Sequence, residues 1–248
     1  MSEPGAETGR TIAITGATGL VGSALCAAFA QRGWAVRGLS RHNPERSVAW
    51  RWYRCDLADD VDPRAFEGCG TVIHAAYAMG QGDTRLSRRV NEEGTRRVLG
   101  LSRGAGARFV FISSFSAHED ARSYYGRSKL AMEQALDPAR DLIIRPGLVL
   151  APAGGVFGAM AAQIRKRRII PLIAGGKQPL QTIHIDDLCA GVVAAVERGV
   201  AGRLLLAERT PITMREFLEL LAQRLHRSPA FLPVPAWPIF WVARVLEG

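Results

Sequence analysis

Short apolar runs alternate with stretches of helical periodicity through the first 150 residues. Residues 11–15 (TIAIT) form one such run, and Val21, Leu25, Ala28 and Phe29 then recur at the spacing of one helix face that Gly33 closes. Residues 35–40, 50–55, 71–76 (TVIHAA), 108–113 (RFVFIS) and 142–145 read as further strands. Residues 87–102, closed by Gly104-Ala105-Gly106, and residues 124–136 read as helices. This alternation is the signature of parallel βαβ units and predicts an α/β fold, a doubly wound parallel sheet with right-handed crossovers. After Pro146 the pattern loosens. Residues 157–166, 185–198 and 213–225 still look helical, the last opened by a capping box of Thr213 and Glu216.

The turn between the first strand and the first helix is rich in glycine: Gly16, Thr18, Gly19, Leu20, Val21 and Gly22. Glycines at this spacing allow a tight turn, bring bare backbone against a pyrophosphate and pack the helix close to the sheet. The helix N-terminus adds free N–H groups and a positive dipole end. The segment therefore reads as a dinucleotide site on a Rossmann-like sheet. At the end of the second strand an acidic residue would bind the adenosine 2′-hydroxyl and favour NAD. Ser40 and Arg41 stand there instead, with no carboxylate before Glu45. A guanidinium and a hydroxyl suit a 2′-phosphate, so NADP(H) is the expected cofactor and NAD(H) the alternative. Asp56 and Leu57 follow the third strand, where adenine is expected. His74, Ala75 and Ala76 end the fourth strand, where small residues let the cofactor pass.

Tyr125 and Lys129 lie four apart on a predicted helix and so face the same way. A free phenol titrates at about 10, and a neighbouring ammonium lowers that value towards the range useful for proton transfer. Ser113 and Ser114 close the preceding strand, at the sheet edge where ligands bind. Ser114 is expected to orient a substrate oxygen. Ser116 and Tyr77 are further candidates for contact with substrate.

Composition narrows the field. The 248 residues are 48% hydrophobic and 22% charged, within the range of a globular protein. Net charge is +9, but the basic residues are spread along the chain and cluster tightly only at Arg165-Lys166-Arg167-Arg168. With no recognition motif beside them, a nucleic-acid partner is not expected. Cys26, Cys55, Cys69 and Cys189 are far apart with no ligand spacing, which argues against a metal site or disulfide framework and for a reduced, cytoplasmic protein. The polar start, residues 1–10, reads as a flexible tail rather than a signal peptide. The apolar residues 231–246 are interrupted by Pro233, Pro235, Pro238 and Arg244, so no membrane span is expected.

The set TGATGLVG, CDL, HAA, Asn91 in NEEGT, ISS, YGRSK and Arg145-Pro146-Gly147 resembles the extended short-chain dehydrogenase/reductases, the NAD-dependent epimerase/dehydratase superfamily. The likeness runs from Thr11 to Asp187, where IHIDD resembles that group's late HVDD signature. It implies Tyr125 as acid/base, Lys129 on the nicotinamide ribose and Ser114 polarising the substrate oxygen, with Ser116 as the alternative register. It also adds Asn91 and Pro146 to the cofactor site. The implied organisation is a dinucleotide-binding domain over residues 11–146 and a small C-terminal substrate-binding region over 147–248, partly returning to the sheet.

Two features depart from the pattern. Nucleotide-sugar enzymes of the group carry an Arg shortly before the HVDD-like stretch to grip a diphosphate, and Leu180 stands there here. Dehydratase members carry acidic residues beside the catalytic serine, where this chain has Phe115. Trp237, Phe240 and Trp241 form an aromatic run suited either to a hydrophobic pocket or to core packing. The expected function is an NADP(H)-dependent interconversion of carbonyl and alcohol on a small, neutral or apolar substrate. A nucleotide-sugar epimerase with retained cofactor is the first alternative, and a non-catalytic dinucleotide sensor or assembly protein the second. A homodimer is compatible with either enzyme reading.

Overall fold

The computed structural model describes residues 10–44, 48–79, 82–152 and 154–235. The expected tail, apart from Arg10, and the run from Trp237 to Trp241 lie outside the described residues. The elements run β1 (Thr11–Thr15), α1 (Leu20–Gln31), β2 (Ala35–Ser40), β3 (Arg51–Arg54), β4 (Thr71–His74), α2 (Arg85–Arg88), a π-helical turn (Arg89–Glu93), α3 (Gly94–Gly104), β5 (Arg108–Ile112), α4 (Tyr124–Glu133) and β6 (Leu142–Pro146). They continue as β7 (Leu148–Leu150), α5 (Gly155–Lys166), β8 (Ile169–Ile173), β9 (Pro179–Leu180), β10 (Thr182–His184), α6 (Ile185–Glu197), β11 (Gly202–Leu206), β12 (Ile212–Thr213), α7 (Met214–Arg224) and β13 (Ala230–Val234).

The chain divides into two compact units, residues up to Arg145 with Cys189–Leu205, and Pro146–Leu188 with Leu206 onward. The first unit is built on a seven-stranded sheet of order β11-β6-β5-β4-β1-β2-β3. The pairs β3–β2, β2–β1, β1–β4, β4–β5 and β5–β6 are all parallel. Strand order reverses between β1 and β4, the switch point where such Rossmann-like sheets bind ligands beyond the strand carboxyl ends. Every residue of β4 is buried, as are the last four of β1 and of β5, because helices cover both faces of a parallel sheet. Phe66, Phe109, Phe111, Val98 and Met132 fill the core on one side. Burying each of the larger side chains contributes roughly 1.5–3 kcal/mol.

The expected helix over 87–102 is not continuous. The π-helical turn inserts extra backbone between α2 and α3, and this turns Asn91 inward to 2% exposure. Its amide then accepts from Ala78 N at 2.8 Å and donates to Ala78 O at 3.1 Å. A side chain that satisfies both backbone groups of a loop residue offsets the poorer geometry of the wider turn.

The second unit holds short strands that the sequence pattern does not announce. β10 runs parallel to β7, β12 antiparallel to β9, and β13 parallel to β8. They are two to five residues long and contain Pro171, Pro179 and Pro233. Proline cannot donate to a ladder, so such segments read as loops. Their core is Ile164, Ile170, Leu172, Phe217 and Leu221, with Leu180 packed against it.

Candidate active site

The glycine turn is shaped by backbone alone. Gly16 has φ of +70°, and a Cβ there would lie 2.9 Å from the backbone of Ala76. A Cβ on Gly22 would sit 2.1 Å from the Gly16 carbonyl oxygen, so α1 starts hard against the turn. Gly19 caps α1 without a side-chain bond, and no acidic residue occupies the first turn. Thr18 and Gly19 are exposed, and Leu20 and Val21 half-buried. Uncapped N–H groups at the positive end of a helix, over a surface that admits no extra atom, fit a dinucleotide diphosphate.

Behind this cradle runs a directional chain of hydrogen bonds. Thr95 Oγ1 donates to Asn91 O at 2.6 Å, so its oxygen accepts from His74 Nε2 at 3.0 Å. His74 Nδ1 is then the acceptor for Thr15 Oγ1 at 2.8 Å, and Thr15 in turn accepts from Ala76 N at 3.3 Å. Burial, then the charge of Lys129, pushes the imidazole down to about 3, and the bond pattern fixes it as the neutral Nε2–H tautomer. The ring is wholly buried between Phe109 and Phe111. The sequence sets His74 and Asn91 at the cofactor itself. Both side chains are buried here, with their polar atoms bonded within the protein. Ala75 and Ala76 remain at the surface of the cradle.

The second cluster is assembled by α4. Ser123 caps the helix by accepting from Gly126 N at 3.2 Å. A Cβ on Gly126 would come within 2.3 Å of Ser116 O, so the helix start lies directly on the Ser114–Ser116 turn. This contact brings Tyr125 to Ser114. Burial pushes the Tyr125 hydroxyl above the usual tyrosine range, and the neighbouring Ser114 hydroxyl pulls it partly back. Ser116 is exposed, and its N–H donates to Ser114 Oγ at 3.1 Å. Tyr77 meets Tyr125 edge-on, ring centroids 5.0 Å apart at 88°. Ser128 Oγ donates to Tyr125 O at 3.1 Å and accepts from the Tyr77 hydroxyl at 2.8 Å.

Lys129 is only 4% exposed. Its ammonium donates to Ile112 O at 2.7 Å and lies 4.8 Å and 4.6 Å from the ring centres of Tyr77 and Phe111. Ring faces replace part of its lost hydration. Burial brings it down to about 7, with Glu133 pulling upward. Glu133, one turn further along α4, accepts from Ser113 Oγ and takes a bidentate pair from Arg145 at 2.8 and 2.6 Å. Arg203 approaches it at 3.4 Å. The sequence reading passes over Glu133, although its spacing from Lys129 is the same i, i+4 that singles out Tyr125.

At the end of β2, Ser40 donates to His42 O at 2.8 Å and accepts from Trp52 Nε1 at 3.1 Å. The hydroxyl offered by the sequence to a 2′-phosphate is thus spent within the loop. Arg41 is exposed and forms no ion pair with any described residue. Asp56 Oδ1 accepts from Ala58 N at 3.0 Å, and Leu57 is buried where Gly94 leaves room for it. Pro146 is buried at the end of β6. Among the described residues no three His, Cys, Asp or Glu side chains converge as a metal site would require.

The model of the NAD dependent epimerase/dehydratase family matches residues 12–206. A ceramide reductase of Caulobacter vibrioides is 31% identical over 235 residues, covering 90% of this chain and 73% of the relative. The chain belongs to this epimerase/dehydratase family. A second relative, from Stigmatella aurantiaca, is 4-hydroxy-2-methyl-3-oxo-4-farnesyl-3,4-dihydroquinoline-1-oxide ketoreductase, 24% identical over 239 residues, covering 85% and 72% of the two chains. Among solved structures, UDP-glucuronic acid 4-epimerase from Bacillus cereus, in complex with NAD, superposes with a TM-score of 0.77 at 20% identity, covering 91% and 87%. That likeness carries the fold. Membership of the epimerase/dehydratase family makes the chain an NAD(P)-dependent enzyme of the reductase, epimerase or dehydratase kind, and the glycine cradle is its fit for the dinucleotide.

Proposed function

We propose that this enzyme is an NADP(H)-dependent reductase that interconverts a carbonyl and an alcohol on a small, neutral or apolar substrate. The observation that carries the reading is the placement of α4: its start lies on the Ser114–Ser116 turn at the carboxyl edge of β5, and Tyr125 and Lys129 stand one turn apart on it. When bound, the nicotinamide supplies or takes the hydride. Ser114 orients the substrate oxygen, and Tyr125 hands its proton to the oxygen that becomes the alcohol. The lowering expected from a neighbouring ammonium is not found: burial holds the Tyr125 hydroxyl above the usual tyrosine range, and Lys129 is not among the causes of its shift. Lys129 is assigned to the nicotinamide ribose by the family pattern, and Tyr77 and Ser116 to the substrate side. Gly16 to Gly22, Ala75 and Ala76 hold the diphosphate and its neighbourhood, Asp56 and Leu57 border the adenine, and Pro146 closes the nicotinamide end.

The preference for NADP(H) rests on Arg41, an exposed guanidinium where NAD enzymes place a carboxylate. The apolar substrate class is supported by the relatives named for ceramide and for a farnesyl-bearing dihydroquinoline. It is also supported by Leu180, whose side chain packs on the apolar core of its own unit. A buried diphosphate without a paired cation is costly. The exposed run Arg165–Arg168 favours the second reading, nucleotide-sugar epimerisation. The test follows NADPH consumption with long-chain ketones and ketoamides beside UDP- and dTDP-sugars. Reduction of the neutral panel supports the proposal; epimerisation of a nucleotide sugar without such reduction overturns it.

A further inference from the structure

The ribbon of β8 and β13 in the second unit has two unlike faces. Ile170 and Leu172 point into the unit's core with Phe217 and Leu221. Because side chains alternate along a strand, Ile169, Pro171 and Ile173 face the other way. The parallel register sets Ala230, Leu232 and Val234 beside these three. The outer face is therefore apolar at every position. Ile169 is 57% exposed, Ile173 42% and Leu232 54%. Isolated exposed hydrophobic residues need no explanation, but a contiguous apolar strip does.

The basic run leads straight into this face. Arg165 and Lys166 end α5, Arg167 is already extended, and Arg168 O accepts from Ala230 N at 2.8 Å. All four basic residues are exposed, and no described carboxylate pairs with any of them. Lys177, just past the ribbon, is exposed too. We propose that the β8–β13 ribbon and the Arg165–Arg168 run form a docking surface for an anionic lipid bilayer. Isoleucines and a leucine enter the boundary between headgroups and acyl chains, while the cations stand among lipid phosphates. A nucleic acid would use the charges but gives the apolar strip no role. The surface stands independently of the reaction proposed above.

The test is co-sedimentation of the full chain with phosphatidylcholine vesicles, with or without about 30% phosphatidylglycerol, and at rising salt. Wild type is expected to partition to anionic vesicles at least about tenfold more strongly than to neutral ones, and to leave them near 0.5 M salt. Replacing Arg165, Arg167 and Arg168 with Gln is expected to reduce binding about tenfold or more, as is Ile169→Ser with Ile173→Ser and Leu232→Ser. Melting temperature and NADPH affinity serve as folding controls. Should the serine variant lose its fold, the arginine variant and the salt series decide. Wild type that stays in the supernatant with every vesicle overturns the proposal. So does vesicle binding that the serine variant retains in full, and so does duplex DNA that displaces the vesicles and binds both wild type and serine variant equally.

Discussion

The cofactor cradle and the α4 cluster share one sheet edge but are made from opposite materials. The cradle has almost no side chains: Gly16, Gly19 and Gly22 leave backbone bare, and its positive character comes from aligned peptides. The cluster is dense with functional groups: a half-buried phenol, and a buried ammonium and a buried carboxylate held by named partners. A cradle defined by the atoms it lacks is broken by addition. A cluster defined by charge and hydroxyls is broken by deletion.

Four substitutions press on that contrast, in order of expected effect. Tyr125→Phe removes one oxygen, and turnover should fall by about a thousandfold or more while NADPH affinity changes by less than about threefold. Single-turnover kinetics with calorimetric titration of cofactor measures both, and comparable losses in the two would place Tyr125 in binding. Gly22→Ala adds one carbon where 2.1 Å of space exists. It should weaken cofactor binding by about a hundredfold and lower the melting temperature, since α1 must move off the turn. Normal affinity in this variant would mean that the diphosphate does not use the cradle. Arg41→Ala should narrow the preference for NADPH over NADH by about tenfold with little effect on stability. An unchanged ratio would assign the 2′-phosphate elsewhere.

The smallest effect is on stability against pH. Lys129 sits at about 7 in the folded chain, against 10.5 when unfolded. Between these values the unfolded state binds more protons, so folding gains stability as pH rises from 7 towards 10.5. The cost of burying the ammonium is fully present below pH 7. Lys129→Met should therefore change the slope of melting temperature against pH, its relative stability being greatest at pH 6 and declining towards pH 10. Parallel wild-type and variant curves would show that Lys129 keeps its ordinary charge.

The parts legible in the sequence are those fixed by local rules. Gly16, Gly19 and Gly22 and the spacing of Tyr125 to Lys129 depend on turns and helix pitch, which a one-dimensional pattern records. Residues whose roles come from contacts far along the chain were less visible. Glu133 meets Ser113, Arg145 and Arg203 only after three strands align. The loss of the Ser40 hydroxyl to His42 and Trp52 depends on how β2 and β3 end together. The π-helical turn was hidden because a wider turn leaves apolar spacing nearly helical on either side. In the second unit, strands of two or three residues offer too few positions for period-two alternation to stand out.

The bonds through His74 also tie together three pieces of backbone that would otherwise breathe separately. Ala76 donates at one end, Asn91 accepts at the other, and the Asn91 amide grips Ala78. An opening fluctuation of the loop after β4 must break these links together, so it is a cooperative event rather than local fraying. In deuterated solvent, the amides of Ala76 and Ala78 should exchange slowly and at similar rates even without cofactor. Thr95→Val, which takes away the hydroxyl that joins His74 to the π-helical turn, should speed the exchange of both. Slow exchange would show that the loop after β4 is stiff before any ligand arrives, so that a dinucleotide bound against it would lose little further freedom on binding.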